Sequence, residues 1–98
     1  MITEDKVMES LKEVIDPELG LNIVDLGLIY DVRIGGDKVA VKMTLTAPGC
    51  PLHETISGWV RSKLEGLKGV NDAKVEVVWD PPWHPTMMAE EARKRFGY

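Results

Sequence analysis

Residues 45–55 read LTAPGCPLHET, and this stretch joins a predicted strand to a predicted helix. Pro51 suits the first position of a helix, where its missing N–H costs nothing and its φ is already set. Cys50 then falls at or beside the N-cap, where unpaired backbone N–H groups and the positive end of the helix dipole favour a thiolate. Gly49 allows the sharp turn that this arrangement needs. The stretch therefore predicts either a reactive thiol at a helix start or a buried, inert cysteine in a turn.

The composition is that of an ordinary soluble domain, and we expect residues 1–98 to form a single one. Hydrophobic residues make up 44% and charged residues 29% of the 98 residues, and the net charge is −4. Acids and bases are mixed along the chain, so the sequence offers no basic surface for nucleic acid. Apolar runs are too short to span a bilayer and the N-terminus lacks a signal-peptide layout, so no membrane partner is expected. The single cysteine excludes an internal disulfide and favours a reducing, cytoplasmic location.

Hydrophobic periodicity predicts the element order α-β-β-α-β-α. The predicted helices cover residues 4–15, 52–67 and 87–96. The predicted strands cover residues 28–34, 38–45 and 73–79. The sequence Gly35-Gly36-Asp37 predicts a hairpin between the first two strands. The second helix is a crossover, so the strands on either side of it should be parallel if they are neighbours. We therefore expect an α+β fold, a two-layer α/β sandwich whose three-stranded mixed sheet has its helices on one face.

The same patterns assign individual side chains. Tyr30 is expected to face inward with Leu28 and the other alternate residues of its strand, and Trp79 is expected to face inward at the end of the third strand. Trp59 widens the apolar stripe of the second helix, so a core role is favoured over a binding role. Thr86 is expected to cap the last helix.

The turn-rich segment 16–27 also carries five aliphatic residues, so we expect it to pack down onto the core. Its three acids are Asp16, Glu18 and Asp25. Each can hold a turn through local hydrogen bonds to the backbone. The alternative is that Asp16 and Glu18 line the same site as Cys50, with the carboxylate of one or the other within about one side-chain length of it.

Two histidines complete the candidate chemistry. His53 lies three residues after Cys50, so a Cys–His dyad with Asp16 or Glu18 as the orienting acid is one interpretation, and a solvated first-turn residue is the other. His84, between a tryptophan and a proline, is interpreted as a turn residue. The sequence has no Cys-x-x-Cys pair and no phosphate-binding loop, which disfavours a closed zinc site within one chain.

Four motifs follow one another along the chain. They are DPE at 16–18, NIVDLGLIY at 22–30, MTLTAPGCP at 43–51 and VWDPPW at 78–83. Together they resemble the PaaD/SufT-like iron–sulfur cluster assembly family, a former family of unknown function that is related to the eukaryotic component that targets cytosolic clusters. The resemblance covers essentially the whole chain.

The resemblance implies a fold like the C-terminal domain of a scaffold protein, and a role in the maturation of iron–sulfur proteins. Iron–sulfur assembly proteins and client apo-proteins would be its partners. It also implies that Cys50 is the reactive residue, with Asp16, Glu18 and Thr46 near it. His53 stands where the family pattern is variable, so no ligand role is carried over to it, and His84 stands where Ser or Thr is common.

The cysteine count limits the mechanisms that this resemblance allows. A cluster usually takes four thiolates, and one chain supplies one. Three arrangements stay open: a cluster bridged between two subunits of a homodimer, a transient mixed-ligand site shared with a partner, and an adaptor without metal. We favour an adaptor or transfer role in which Cys50 ligates iron or an iron–sulfur cluster transiently, with no permanently bound cofactor.

Two other classes of function compete with this interpretation. One is a thiol hydrolase or transferase that uses Cys50 with His53, and the other is a metal-free protein-interaction module. In the favoured interpretation Cys50 is at least partly accessible, and its pKa lies slightly below the usual value of about 8.5. The helix terminus lowers that pKa, whereas carboxylates nearby would raise it.

Overall fold

A computed structural model describes residues 2–17, 19–46 and 53–97, with the backbone alone at His53 and Phe96. Cys50 and Glu18 therefore lie outside the described residues. The three α-helices are α1 (Glu4–Leu11), α2 (His53–Glu65) and α3 (Glu90–Phe96), and Pro85–Met87 form one turn of 3-10 helix. The strands are β1 (Ile15–Asp16), β2 (Leu21–Asn22), β3 (Ile29–Gly35), β4 (Lys38–Met43) and β5 (Asp72–Val77).

The main sheet has the strand order β3-β4-β5, and β4 is its central strand. Strands β3 and β4 are antiparallel, whereas β4 and β5 are parallel and joined through α2. Helix α1 contacts α2 and β3, and α2 contacts β5. The α+β fold with a three-stranded mixed sheet is thus confirmed.

One hydrophobic core lies between the sheet and helices α1 and α2. Helix α1 contributes Val7 and Leu11, and Thr3 begins it by accepting a hydrogen bond from the backbone N–H of Lys6 at 3.2 Å. The alternate residues of β4 that face α2 are buried, as are the residues of α2 at every fourth position. These residues are Val39, Val41, Met43, Ile56, Val60 and Leu64.

The prediction that the first helix runs to residue 15 was wrong. Helix α1 ends at Leu11, and the N–H groups of Glu13 and Val14 then bond to carbonyls only three residues back, which tightens the chain into a turn. Ile15 pairs with Asn22 in a short antiparallel hairpin formed by β1 and β2. The apolar spacing predicted a longer helix because Val14 is buried, but Val14 lies in the turn after the helix, and Ile15 points outward.

The predicted inward orientation of Tyr30 was also wrong. Ile29 pairs with Met43 and Asp31 pairs with Lys42, so Tyr30 is the extra residue of a β-bulge. Because a bulge shifts the alternation by one residue, Ile29 packs against the core in place of Tyr30. The phenol of Tyr30 reaches the C-terminal segment instead, where it donates a hydrogen bond to the backbone carbonyl of Pro81.

Both tryptophans that were assigned to the core are partly exposed. Trp59 is 44% exposed because it lies at the edge of the stripe formed by Ile56, Val60 and Leu64. Trp79 is 39% exposed because β5 ends at Val77, two residues before it. The core assignment of both side chains is therefore corrected.

The last helix begins later than predicted. Ala89 is the N-cap residue of α3, without a side-chain capping bond, so Thr86 does not cap this helix. Thr86 instead lies in the 3-10 turn, where its backbone N–H donates to Nδ1 of His84 at 3.2 Å. Three prolines between residues 80 and 86 delay the helix, because each lacks an N–H and restricts the residue before it.

Candidate functional site

The candidate site is built around the connection between Thr46 and His53, because the chain between them carries Cys50. Thr46 is half-buried and lies three residues after the end of β4, and His53 begins α2. Cys50, the predicted metal-binding residue, lies outside the described residues, and so does the side chain of His53. The described residues therefore define the two ends of the connection and the elements next to them.

The connection leaves the sheet from its central strand. Beyond Met43, the backbone N–H of Thr44 donates to the carbonyl of Leu28 at 2.8 Å, and the N–H of Val78 donates to the carbonyl of Met43 at 2.8 Å. The residues at the end of β4 are thus held on both sides, by the segment that precedes β3 and by the segment that follows β5. The hydrogen-bonded part of the strand end therefore stops at Thr44, two residues before Thr46.

A C-terminal segment, residues 80–89, is fastened across the same edge, and we call it the strap. The indole N–H of Trp83 donates to the carbonyl of Leu26 at 2.6 Å, and the backbone N–H of Ala89 donates to the carbonyl of Asp25 at 2.7 Å. The phenol of Tyr30 donates to the carbonyl of Pro81 at 2.7 Å. These three bonds hold the strap against β3 and the segment that leads into it.

Polar groups are packed closely where the strap meets the sheet. Burial raises the pKa of the Tyr30 phenol above its usual value, the hydroxyl of Thr44 opposes this rise, and the negative charge of Asp80 adds to it. Thr44 is fully buried, and its hydroxyl is beside the phenol without meeting a hydrogen-bond partner of standard geometry among the described residues. Tyr30 Oη also lies 3.6 Å from the sulfur of Met87.

Asp16 has a structural role in its turn. The residue is only 2% exposed, Oδ1 of its carboxylate accepts the N–H of Leu19 at 3.3 Å, and its backbone carbonyl accepts the N–H of Gly20 at 2.8 Å. Its neighbour Ile15 lines one groove together with Trp59 of α2, so this turn lies beside the helix that follows Cys50. The proximity of Asp16 and Glu18 to Cys50 stays a prediction.

The third acid of this segment has a local role. Asp25 accepts a hydrogen bond from the side-chain amide of Asn22 at 2.9 Å, and its own backbone N–H donates to the Asn22 side-chain oxygen at 2.9 Å. This reciprocal pair closes the turn that leads to β3. His84 likewise acts as a turn residue, as predicted, because its ring accepts from the N–H of Thr86.

Sequence reasoning missed the contribution of Tyr30, Trp83 and Met87 to this edge of the sheet. Their positions depend on the bulge and on contacts between residues more than fifty positions apart in the chain. A signal was nevertheless present, because a segment with three prolines and a tryptophan needs external partners for its backbone.

Within residues 2–17, 19–46 and 53–97 no group of three or more His, Cys, Asp or Glu side chains is placed to hold a metal ion. Over the same residues, no helix is both long enough and apolar enough to cross a membrane.

Comparison with known proteins places this geometry in a family. The sequence profile of a family described as iron–sulfur cluster assembly protein matches residues 4–77. A relative from Porphyromonas gingivalis, named Fe-S protein maturation auxiliary factor, is 45% identical over 98% of this chain and 92% of its own length. The crystal structure of a domain of unknown function from Bacillus anthracis superposes with a TM-score of 0.90, at 41% identity, over 96% of this chain and 91% of that chain.

A similar sequence also occurs as part of a longer protein. An iron–sulfur cluster carrier protein of Synechocystis is 39% identical over 84% of this chain, and the match covers 23% of the carrier.

Proposed function

This chain belongs to the family of iron–sulfur cluster assembly proteins, and on that basis we propose that it is a maturation factor for iron–sulfur proteins that acts as an adaptor or transfer protein through Cys50. In this proposal Cys50 ligates iron or a cluster during transfer and releases it to a client. The iron or cluster is the cargo of the protein.

The observation that carries this proposal is the anchoring of the chain on either side of Cys50. At the end of the central strand, Thr44 is hydrogen-bonded to Leu28 and Met43 to Val78, and α2 begins at His53. Eight residues, 45–52, therefore connect two anchored elements, and the one cysteine of the chain is among them. A short connection between rigid elements suits a ligand that must be presented to a partner in a defined place.

A single thiolate per chain favours transient ligation. Clusters are usually held by four cysteine thiolates, so a chain with one cysteine must share its cargo with ligands from elsewhere. Sharing with a client is the arrangement that also permits release, because the client's thiolates replace the donor ligands one by one. The carrier name of the Synechocystis relative supports this direction.

We assign supporting roles to Thr46, Asp16 and Glu18. Thr46 precedes the connection and places a hydroxyl at its start. The Asp16 carboxylate accepts a hydrogen bond from the backbone N–H of Leu19, so we assign it a positioning role. Partners are proposed to be iron–sulfur assembly proteins and client apo-proteins, and the names of the relatives describe maturation and carriage, which supports a role without enzymatic turnover.

Cluster transfer to a defined acceptor tests this proposal. The full chain and the variants Cys50→Ser and His53→Ala are loaded anaerobically with ferric iron and sulfide, and are then mixed with an apo-ferredoxin that lacks its [2Fe–2S] cluster. The visible absorption and circular dichroism of the ferredoxin report the rate of transfer. We expect the wild type and His53→Ala to accelerate transfer and Cys50→Ser to lose the acceleration.

Two outcomes would contradict the proposal. Transfer by Cys50→Ser at the wild-type rate would show that the thiolate does not hold the cargo, which leaves an adaptor without metal. A loss of transfer in His53→Ala as complete as that in Cys50→Ser would instead support the Cys–His dyad of a thiol enzyme.

A further inference from the structure

A groove of about 700 Å³ lies between the end of α1 and helix α2. Its apolar walls come from Val14, Ile15, Trp59 and Leu67, and small residues of α2 and the turn after it, Ser62 and Gly66, also line it. The groove is separate from the edge of the sheet that carries the strap. It does not enter the function proposed above, and the inference drawn from it stands independently of that function.

Two large apolar side chains beside this groove are exposed to solvent. Ile15 is 47% exposed and Trp59 is 44% exposed, and they are two of the four large hydrophobic side chains that are exposed in the described part of the chain. Adjacent exposed apolar side chains of this size mark interaction surfaces, because each leaves apolar area in contact with water. Tryptophan is also among the residues that most often dominate the energy of an interface.

A hollow lies next to these projecting side chains. Trp59, Ser62 and Gly66 recur at helical spacing, so the indole and the two small residues share one face of α2. A Cβ built at Gly66 would meet only backbone carbonyl oxygens of Ser62 and Lys63, at 3.5 and 3.6 Å, which is ordinary contact. The chain's own packing therefore does not require glycine at this position, and the space above it is left unfilled.

The charges around the groove are balanced. Glu13 and Lys63 form an ion pair of 3.3 Å at its rim. A second hollow of about 420 Å³ shares Ser10, Glu13 and Leu67 with the groove. Acids and lysines occur in equal number, three of each, along the two hollows: Asp5, Glu9, Glu13, Lys6, Lys63 and Lys68.

This surface has the features that a twofold contact needs. They are a projecting side chain, a hollow that can receive it, and balanced charge. In such a contact the same patch occurs on both sides, so every group must find its complement within the patch itself. The chain carries a net charge of −4, which makes two copies repel in general, whereas this surface adds no net repulsion.

We infer that this groove binds a second copy of the chain, with Trp59 of each copy inserted into the hollow above Gly66 of the other. The contact is isologous, so the chain forms a homodimer through this surface.

Sedimentation equilibrium of the full chain over a range of concentrations tests this inference. We expect reversible dimers for the wild type. Trp59→Ala should weaken association at least about tenfold, since a central buried tryptophan is a typical hot spot. Trp79→Ala is the matched control, because Trp79 is exposed to a similar extent elsewhere, and it should leave association unchanged.

Gly66→Leu separates docking from folding. The added side chain has room in the monomer and removes a glycine from the end of a helix, so the unfolding midpoint in urea should not fall. The same side chain fills the hollow and should weaken association by about as much as Trp59→Ala does.

Two results would overturn the inference: a wild type that stays monomeric at every soluble concentration, and equal weakening of association by Trp59→Ala and Trp79→Ala. If the wild type is monomeric and Trp59→Ala slows transfer to apo-ferredoxin, a different protein occupies the groove.

Discussion

The indole N–H of Trp83 lies 2.6 Å from the backbone carbonyl oxygen of Leu26, across 57 positions of the chain. Leu26 is fully buried, so this bond satisfies an acceptor that water does not reach. It fastens the strap to the turn before β3, next to the position where the chain departs toward Cys50.

Replacing Trp83 by phenylalanine tests this bond. Trp83→Phe keeps an aromatic ring and removes the donor, so the carbonyl of Leu26 loses its partner. We expect the free energy of unfolding to fall by about 1–3 kcal/mol, the usual cost of an unsatisfied buried polar group. Urea denaturation measures the change, and Trp79→Phe, at a more exposed position, should stay within about 0.5 kcal/mol of the wild type. Equal stability of Trp83→Phe and the wild type would show that the bond contributes nothing.

Gly27 is expected to be the least replaceable of the turn glycines. Its φ is +77°, and a Cβ there would overlap the backbone carbonyl of Met87 in the strap. Gly36 has a φ of +63° but meets nothing within 4 Å, so Gly36→Ala measures the backbone strain alone, about 1–2 kcal/mol. Gly27→Ala should cost at least about 1 kcal/mol more than Gly36→Ala, because the strap must move. If thermal denaturation gives the same loss for both, the strap does not pack closely on Gly27.

The exposure of Trp59 predicts a contrast within α2. Leu64 is fully buried, and Leu64→Ala should lower the free energy of unfolding by about 2–5 kcal/mol through lost burial and a cavity. Trp59→Ala should lower it by less than about 1 kcal/mol when it is measured at a protein concentration too low for association. A larger loss for Trp59→Ala than for Leu64→Ala would restore the core role that the sequence suggested.

Tyr30 should titrate at a higher pH than an ordinary tyrosine. Burial first, and then the charge of Asp80, raise its pKa above 10.0. In the unfolded chain the phenol ionises near 10.0, so the free energy of unfolding is unaffected by this group below that pH and falls as the pH rises from there through the folded-state pKa. Phenolate absorbance against pH measures the titration, and Tyr30→Phe, which leaves only Tyr98, identifies the contribution of Tyr30. A titration of Tyr30 at or below the ordinary pH would contradict the expectation.

The thiol of Cys50 is expected to be accessible, with a pKa slightly below about 8.5. Interaction with a helix terminus stabilises an exposed charge by about 0.3–1 kcal/mol, which is less than one pKa unit, and a nearby carboxylate would offset it. The pH dependence of alkylation of the native protein by iodoacetamide measures this pKa, and the urea-unfolded chain gives the reference. A midpoint at or above that of the unfolded chain would show that acids or burial dominate. It would favour an adaptor without metal over thiol chemistry.

Local patterns predicted a large part of this fold. The alternation over 38–45 identified β4 and its buried residues, and the spacing of Ile56, Val60 and Leu64 identified α2. Both signals are reliable because one face of each element is buried along its length, so the sequence repeats with the period of the backbone. The family motifs, read in order, identified the family that the sequence profile confirmed.

The errors have a different origin. Val14 and Ile15 continue a helical spacing, yet the chain turns at Leu11, because pairing of Ile15 with Asn22 satisfies the backbone. The bulge at Tyr30 cannot be predicted from the alternating apolar residues of β3, because the bulge depends on which residues of β4 lie opposite. Trp59 lies at the edge of the apolar stripe of α2, and the periodicity does not show how far the neighbouring elements cover that edge.

The candidate site shows the same division between local and distant information. The sequence alone determined that one thiol stands between a strand and a helix, because Gly49, Cys50 and Pro51 have conformational preferences that act over two or three residues. Only the tertiary structure decided that the strap crosses this edge of the sheet, that Asp16 is buried in its own turn, and that a groove opens beside Trp59. Those relationships join residues far apart in the chain, and their free energy comes from burial and hydrogen bonds that exist only once the core has formed.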